Sequence, residues 1–296
     1  MNHFLDELKA YQNKIVTALP IFYLNQKTPD ITAEAALYSL MAGGKRIRPV
    51  LSLSVAKCLE VSEEKILPFA CAVEMIHTYS LIHDDLPCMD DDDLRRGNPT
   101  CHVKYSEAIA LLAGDSLLNR AYHLLFSLAA KENDLSYVRA AEYLAQMAGN
   151  EGMIGGQTID MVSEGKLIDV TTLKELHSKK TGAIFKASIM MPVILSKKEE
   201  VYSSFSDFSE HIGLAFQIKD DILDALSTNE VLGKSVGKDA AAQKSTYVSM
   251  YGIERAEKML EQETKVTHDI LSKLGEKGLD TRFLVELNQY LLSREN

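Results

Sequence analysis

Residues 63–85 read EEKILPFACAVEMIHTYSLIHDD. Steps of three and four residues put Ile66, Ala70, Val73, His77, Ser80 and Asp84 on one helical face. Leu67, Phe69, Cys71, Ile76 and Leu81 cover the other sides. A helix that is apolar nearly all round belongs at the centre of a protein rather than on its surface. Yet this one ends in Asp84 and Asp85. Carboxylates beside buried surface are costly unless a cation, a hydrogen bond or a metal holds them.

The acids continue beyond the helix as Asp90, Asp91, Asp92 and Asp93, and Arg95-Arg96-Gly97 follow. Taken alone, such a run reads as a solvated loop. Acids and arginines packed against an apolar helix suit a metal–phosphate complex better. A second cluster, Asp220-Asp221-Ile222-Leu223-Asp224, repeats the pattern. Its helix, near 199–226, carries Phe205, Phe208, Ile212, Phe216 and Leu223 as a core stripe. Gly213, Gln217, Asp220 and Asp224 form another face, with Asp221 about 100° round. Hard oxygen donors point to magnesium or calcium, and magnesium commonly completes its shell with phosphate oxygens. The expectation is that the two carboxylate sets face one another across an apolar cavity.

A third stretch, Gly43-Gly44-Lys45-Arg46-Ile47-Arg48-Pro49, opens a helix. Glycines let backbone approach an anion, and a helix N-terminus favours negative charge. Lys45 and Arg48 add charged donors, with Arg46 pointing elsewhere. The stretch is not a Walker loop, because the GxxxxGK[ST] spacing is missing. Gly155-Gly156-Gln157-Thr158 with Asp160 allows close helix packing beside a polar group. Lys180-Thr181-Gly182 offers a charge and a hydroxyl. Lys234 and Lys238 sit in a glycine-containing stretch after the second acid cluster.

The chain has 296 residues, 46% hydrophobic and 25% charged. It has no Trp, so Leu, Ile, Val, Ala and Met must build the core. Thirty-two basic against 42 acidic side chains give a net charge of −10. That field argues against nucleic acid as a partner, and it requires local cations wherever an anion binds. Cys58, Cys71, Cys88 and Cys101 form no CxxC pair and read as reduced thiols. Cys88, Cys101, His83 and His102 fit no usual zinc spacing. The first residues read as an amphipathic helix rather than a signal peptide. No run reaches the ~18 uninterrupted apolar residues of a membrane span. A cytoplasmic protein is expected.

Helical spacing dominates, with helices near 2–18, 31–42, 47–60, 63–85, 105–130, 134–148, 151–163, 171–178, 180–196, 199–226, 240–274 and 279–293. Breaks fall at Gly43-Gly44, Pro87 to Pro99, Gly165, Gly182 and Gly233 to Gly237. An all-α protein with one domain over 1–296 is the simplest reading.

In combination, these motifs resemble the trans-prenyltransferases, the short-chain isoprenyl diphosphate synthases, in family order over roughly residues 35–250. Pro87-Cys88 are two extra residues in the first acidic spacing. This is similar to bacterial farnesyl diphosphate synthases and plant-type geranylgeranyl diphosphate synthases. The resemblance implies a single large helical bundle of the isoprenoid synthase type with a central cavity, forming a homodimer. It implies that Asp84, Asp90, Asp220 and Asp224 hold magnesium, three ions per site with substrate bound. Asp85 and Asp221 would be further ligands or acids behind them. Arg95, Lys180, Thr181, Gln217 and Lys234 would hold the allylic diphosphate (dimethylallyl or geranyl). Lys45, Arg48, His77 and Arg96 would hold isopentenyl diphosphate.

Product length in this family depends on residues before the first acidic motif. Tyr79 lies five residues before Asp84, about 7.5 Å along the helix, and the small Ser80 lies four before. A bulky floor at Tyr79 predicts a farnesyl product. The alternatives are a geranylgeranyl diphosphate synthase and a non-catalytic partner subunit of a prenyl synthase. Such subunits typically lose one acid cluster, whereas this chain keeps both. A cyclising terpene synthase would not need the Gly43–Pro49 cradle.

Overall fold

The computed structural model describes residues 2–24, 30–232 and 245–293. Among these, secondary structure is helical apart from one two-residue hairpin. The chain forms two compact units, residues 1–145 with 187–199 and residues 146–186 with 200–296.

In the first unit, α1 (Asn2–Tyr23), α2 (Ile31–Leu40), α3 (Ile47–Cys58), α4 (Glu63–Asp84), α5 (Cys101–Tyr105) and α6 (Glu107–Glu132) pack with most of α7 (Leu135–Ala148). The centre is α4, as its apolar surface requires. Ile66, Phe69, Ala70, Cys71, Val73, Met75 and Ile76 are all shielded from solvent. By length and hydropathy α4 would also qualify as a membrane span, but 72% of that window is buried inside the protein. It also carries a buried ion pair through Glu74. Those are the properties of a core helix. At Gly114 of α6, an added Cβ would lie 2.1 Å from His83 Nε2. The missing side chain is what lets α6 come this close to the acidic end of α4.

Helix α1 runs past the expected end at residue 18, through Pro20. Leu19 and Tyr23 are buried, and Tyr23 Oη lies 2.8 Å from Ser116 Oγ of α6. Tertiary burial outweighs the one hydrogen bond that proline removes. After α4, the stretch expected only as a break holds a hairpin, β1 (Leu94–Arg95) antiparallel to β2 (Asn98–Pro99). Arg96 and Gly97 turn it with φ of 54° and 77°. Two successive positive φ values match the right-handed strand twist.

The second unit holds α8 (Met153–Ser163), α9 (Val170–His177), a π-helical turn (Ser178–Gly182), α11 (Tyr202–Leu232), α12 (Tyr247–Tyr251), α13 (Ile253–Glu276) and α14 (Arg282–Ser293). Helix α10 (Ala183–Ser196) follows the π turn, and its residues from 187 on belong to the first unit. Asp169 caps α9 by accepting from Thr172 N at 2.8 Å, and Thr246 and Ser249 form a capping box at α12. Of the single helix expected over 240–274, residues 240–244 lie outside the described residues, and the described part holds two helices, α12 and α13, split at Gly252 with φ 77°. On α11 the core stripe uses Phe205, Phe208 and Ile212 as expected. It then continues through Ala215, Ile218 and Ile222, while Phe216 and Leu223 are only half-buried. Ile218 and Ile222 pack with Leu173, Tyr247 and Ala256.

Candidate active site

The first unit assembles an acidic loop beside a basic cradle. Beyond α4 the chain folds back, so that Asp90 N donates to the carbonyl of Asp84 at 2.9 Å and Met89 N to that of Leu86 at 2.8 Å. The turn absorbs Pro87 and Cys88 and brings the backbones of Asp84 and Asp90 together. Asp85 is buried and accepts from Arg95 Nε at 2.7 and 2.9 Å. Arg95 Nη2 also reaches Asp92 at 3.6 Å. Burial pushes the Asp85 carboxyl up against the pull of Arg95. For Arg95, burial lowers the pKa, but its bonds to Asp85 and the charges of Asp85, Asp92 and Asp84 outweigh it and raise it.

The hairpin sends its two arginines to different partners. Arg96 Nη1 donates to the carbonyl of Gly43, and an added Cβ at Gly44 would lie 2.6 Å from that same nitrogen. Gly43 and Gly44 have φ of 87° and 110°, a region open to glycine. Arg48 Nη1 lies 3.3 Å from His77 Nε2. Lys45 is exposed, and its carbonyl accepts from Gln12 Nε2 at 2.8 Å. Arg46 turns away, into the core.

Charge is concentrated here. Burial, then Arg48, Arg96, Arg46 and Arg95, hold His77 well below the usual histidine range. Burial brings Arg48 down to about 10, with Arg96 adding to the effect and Glu74 opposing it. Arg96 is lowered too, by burial and by Arg46 and Arg95. Guanidinium groups lowered chiefly by burial, and further by one another, form a ready receptor for an anion. Tyr79 is buried one turn before the acids, its ring edge-on to His83 at 5.6 Å. Its hydroxyl has no hydrogen-bond partner among the described residues, and burial and Asp84 raise its pKa to about 12. Ser80 is half-buried and donates to the carbonyl of His77 at 2.9 Å.

In the second unit, Lys180, Thr181, Gln217, Asp221 and Asp224 line one cavity of about 530 Å³, together with Asp160 and His177. Lys180 and Thr181 reach it from the π turn. An added Cβ at Gly156 would lie 2.1 Å from Lys180 N, so only glycine lets α8 pack against this turn. Lys180 Nζ meets Asp160 Oδ2 at 2.5 Å. Asp221 spends both carboxylate oxygens on protein donors, Gln217 Nε2 at 2.9 Å and Tyr247 N at 2.8 Å. Burial raises the pKa of Asp221, and burial alone raises that of Asp224. Asp220 stands half-buried on α11 and is not among the residues lining this cavity. Lys234 and Lys238 lie outside the described residues.

The donor set suits magnesium. Among the described residues no three His, Cys, Asp or Glu side chains gather into a complete cage. Magnesium needs only one or two carboxylates when phosphate supplies the rest. Carboxylates such as that of Asp224, destabilised by burial, are the kind a bound cation would stabilise.

Asp160, read from the sequence only as a polar group beside a packed helix, emerges as the partner of Lys180. Two residues escaped the sequence reading, His177 as a wall of the cavity and Glu74 as the acid facing the arginine cluster. Only Glu74 left a signal, as the one acid inside an otherwise apolar stretch of α4.

Comparison with known proteins identifies the family. A polyprenyl synthetase family model matches residues 29–282. The farnesyl diphosphate synthase of Bacillus subtilis is 41% identical over 293 residues, covering 98% of this chain and 97% of that protein. The geranylgeranyl diphosphate synthase of Cyanophora paradoxa is 41% identical over 271 residues, covering 90% and 89%. A solved FPP/GFPP synthase from Zymomonas mobilis has a TM-score of 0.85 at 30% identity, covering 98% and 99% of the two chains. The chain therefore belongs to the polyprenyl synthetase family.

Proposed function

We propose that this prenyltransferase is a magnesium-dependent farnesyl diphosphate synthase of isoprenoid biosynthesis. It condenses isopentenyl diphosphate head-to-tail with dimethylallyl diphosphate and then with geranyl diphosphate. The observation that carries the reading is the cluster of Arg46, Arg48, Arg95 and Arg96 around His77. In a chain of net charge −10, such a cluster makes sense as a seat for a diphosphate.

In this reading Lys45, Arg48, His77 and Arg96 hold isopentenyl diphosphate. Neutral His77 accepts a hydrogen bond from Arg48 and so fixes the direction of that guanidinium. Arg95, Lys180, Thr181, Gln217 and Lys234 engage the allylic diphosphate. Asp84, Asp90, Asp220 and Asp224 hold magnesium, expected at three ions. Magnesium, when bound, supplies positive charge that stabilises the departing diphosphate. Asp85 and Asp221 position Arg95 and the start of α12 rather than meeting a cation directly. Ionisation of the allylic C–O bond leaves a carbocation. The isopentenyl double bond attacks it, and a proton then leaves, with released diphosphate as its acceptor. No covalent nucleophile is required.

Tyr79, buried one turn before the acids, supports a farnesyl product over the geranylgeranyl alternative. We further propose a cytoplasmic homodimer in which residues 1–296 act as one polyprenyl synthase domain. The test is release of diphosphate from isopentenyl plus dimethylallyl diphosphates, with and without magnesium. Release that requires both substrates and the metal supports the function, and its absence from folded protein refutes it.

A further inference from the structure

Arg46 and Glu74 form an ion pair whose side chains are only 2% and 4% exposed. Arg46 Nη1 meets Glu74 Oε1 at 2.5 Å, and Arg46 Nη2 donates to the carbonyl of Leu40 at 2.6 Å. Arg46 is also the N-cap of α3, at φ 50° and ψ 35°. That is a left-handed conformation which a residue with a long side chain seldom adopts. N-caps usually carry a short side-chain acceptor that bonds the first turn. Arg46 makes no such bond. Local sequence therefore does not favour this backbone, and the buried tether is what holds it.

The turn decides where the neighbouring cations go. With Arg46 drawn into the core, Lys45 is exposed and Arg48 reaches His77. We propose that Glu74 is a positioning residue of the isopentenyl diphosphate cradle, anchoring Arg46 and through it the direction of Lys45 and Arg48. This rests on the assignment of that cradle under the proposed function. Glu74 has a second effect of the same kind. Its charge raises the pKa values of Arg48 and Arg96 against the mutual repulsion of the guanidinium groups. It thus offsets part of that repulsion before any diphosphate arrives.

A buried ion pair can often be replaced by well-packed apolar residues without loss of stability, whereas removing one partner strands the other. That difference separates positioning from simple support of the fold. Glu74→Gln and the double variant Arg46→Met/Glu74→Leu are to be compared with wild type by calorimetric titration of isopentenyl diphosphate. KM for each substrate and thermal melting are measured alongside. Both variants should weaken isopentenyl diphosphate binding about tenfold, while KM for the allylic substrate moves by less than about twofold. Glu74→Asp, which keeps the charge, should recover part of the loss. A folded double variant with wild-type affinity for isopentenyl diphosphate would overturn the proposal. So would parallel loss for both substrates, or failure of both variants to fold, since each would mark the pair as general support. Wild-type protein that binds isopentenyl diphosphate but turns nothing over would defeat the proposed function. The binding contrast would still decide the role of Glu74.

Discussion

Arg96 lies so close to Gly44 that a β-carbon placed there would sit 2.6 Å from its guanidinium nitrogen. Two segments more than fifty residues apart thereby form one basic surface, and glycine is what permits it. Gly44→Ala must displace Arg96 and also hold alanine at φ 110°. Strain of this kind costs about 1–3 kcal/mol. The expected outcome is a folded protein whose KM for isopentenyl diphosphate rises about tenfold with a smaller change for the allylic substrate. Steady-state kinetics with each substrate varied in turn will check this.

Tyr79 separates two effects. Its hydroxyl is buried without a partner among the described residues, so Tyr79→Phe should leave stability unchanged or slightly raised. Product length should also stay the same, because the ring remains. Tyr79→Ala removes the ring, should cost about 3 kcal/mol or more, and should shift the product beyond fifteen carbons. Chromatography of dephosphorylated products reads the difference. An unchanged fifteen-carbon product from folded Tyr79→Ala would assign the floor elsewhere.

The acids of α11 should fail in different ways. Asp224 lines the cavity wall rather than the core, so Asp224→Ala should fold normally and require more magnesium for activity. Asp221 accepts from Tyr247 N and Gln217. Asp221→Ala leaves those donors unsatisfied and should lower stability by about 1–3 kcal/mol. Denaturant titration and magnesium dependence of rate, measured on both variants, distinguish the two.

His177 carries a pH signature. Burial lowers its pKa to about 4, with Lys180 adding to the effect and Asp160 opposing it. The unfolded chain therefore binds this proton below about pH 6.5, while the folded protein resists it until about pH 4. Stability should fall as pH drops through that window, by on the order of 2 kcal/mol. Asp221 and Asp224, with raised values, contribute in the opposite direction. The His177 part is isolated as the difference between wild type and His177→Leu, measured in EDTA. A constant difference between pH 7 and pH 4 would contradict it.

Much of this molecule was legible in its residues because the signals were redundant. An all-round apolar helix ending in acids could only be central, and α4 is. The motifs at Gly43–Pro49, Asp84–Asp93 and Asp220–Asp224 each combine residue types that physical chemistry reserves for anions and cations. What stayed hidden depended on pairing across sequence distance. Nothing local says that Lys180 meets Asp160, or that Asp221 caps the amide of Tyr247 twenty-six residues on. The π turn at Ser178–Gly182 and the helix break at Gly252 were likewise set by tertiary packing and backbone sign rather than by periodicity. Lys234 belongs to the stretch outside the described residues, so its role rests on the family resemblance.

The most direct test is to identify the hydrocarbon chain made from isopentenyl and dimethylallyl diphosphates with magnesium, by mass spectrometry of the product. The account predicts farnesyl diphosphate as the end product, with geranyl diphosphate as a transient. A twenty-carbon end product would contradict the role of Tyr79, and no prenyl product from folded protein would contradict the whole assignment.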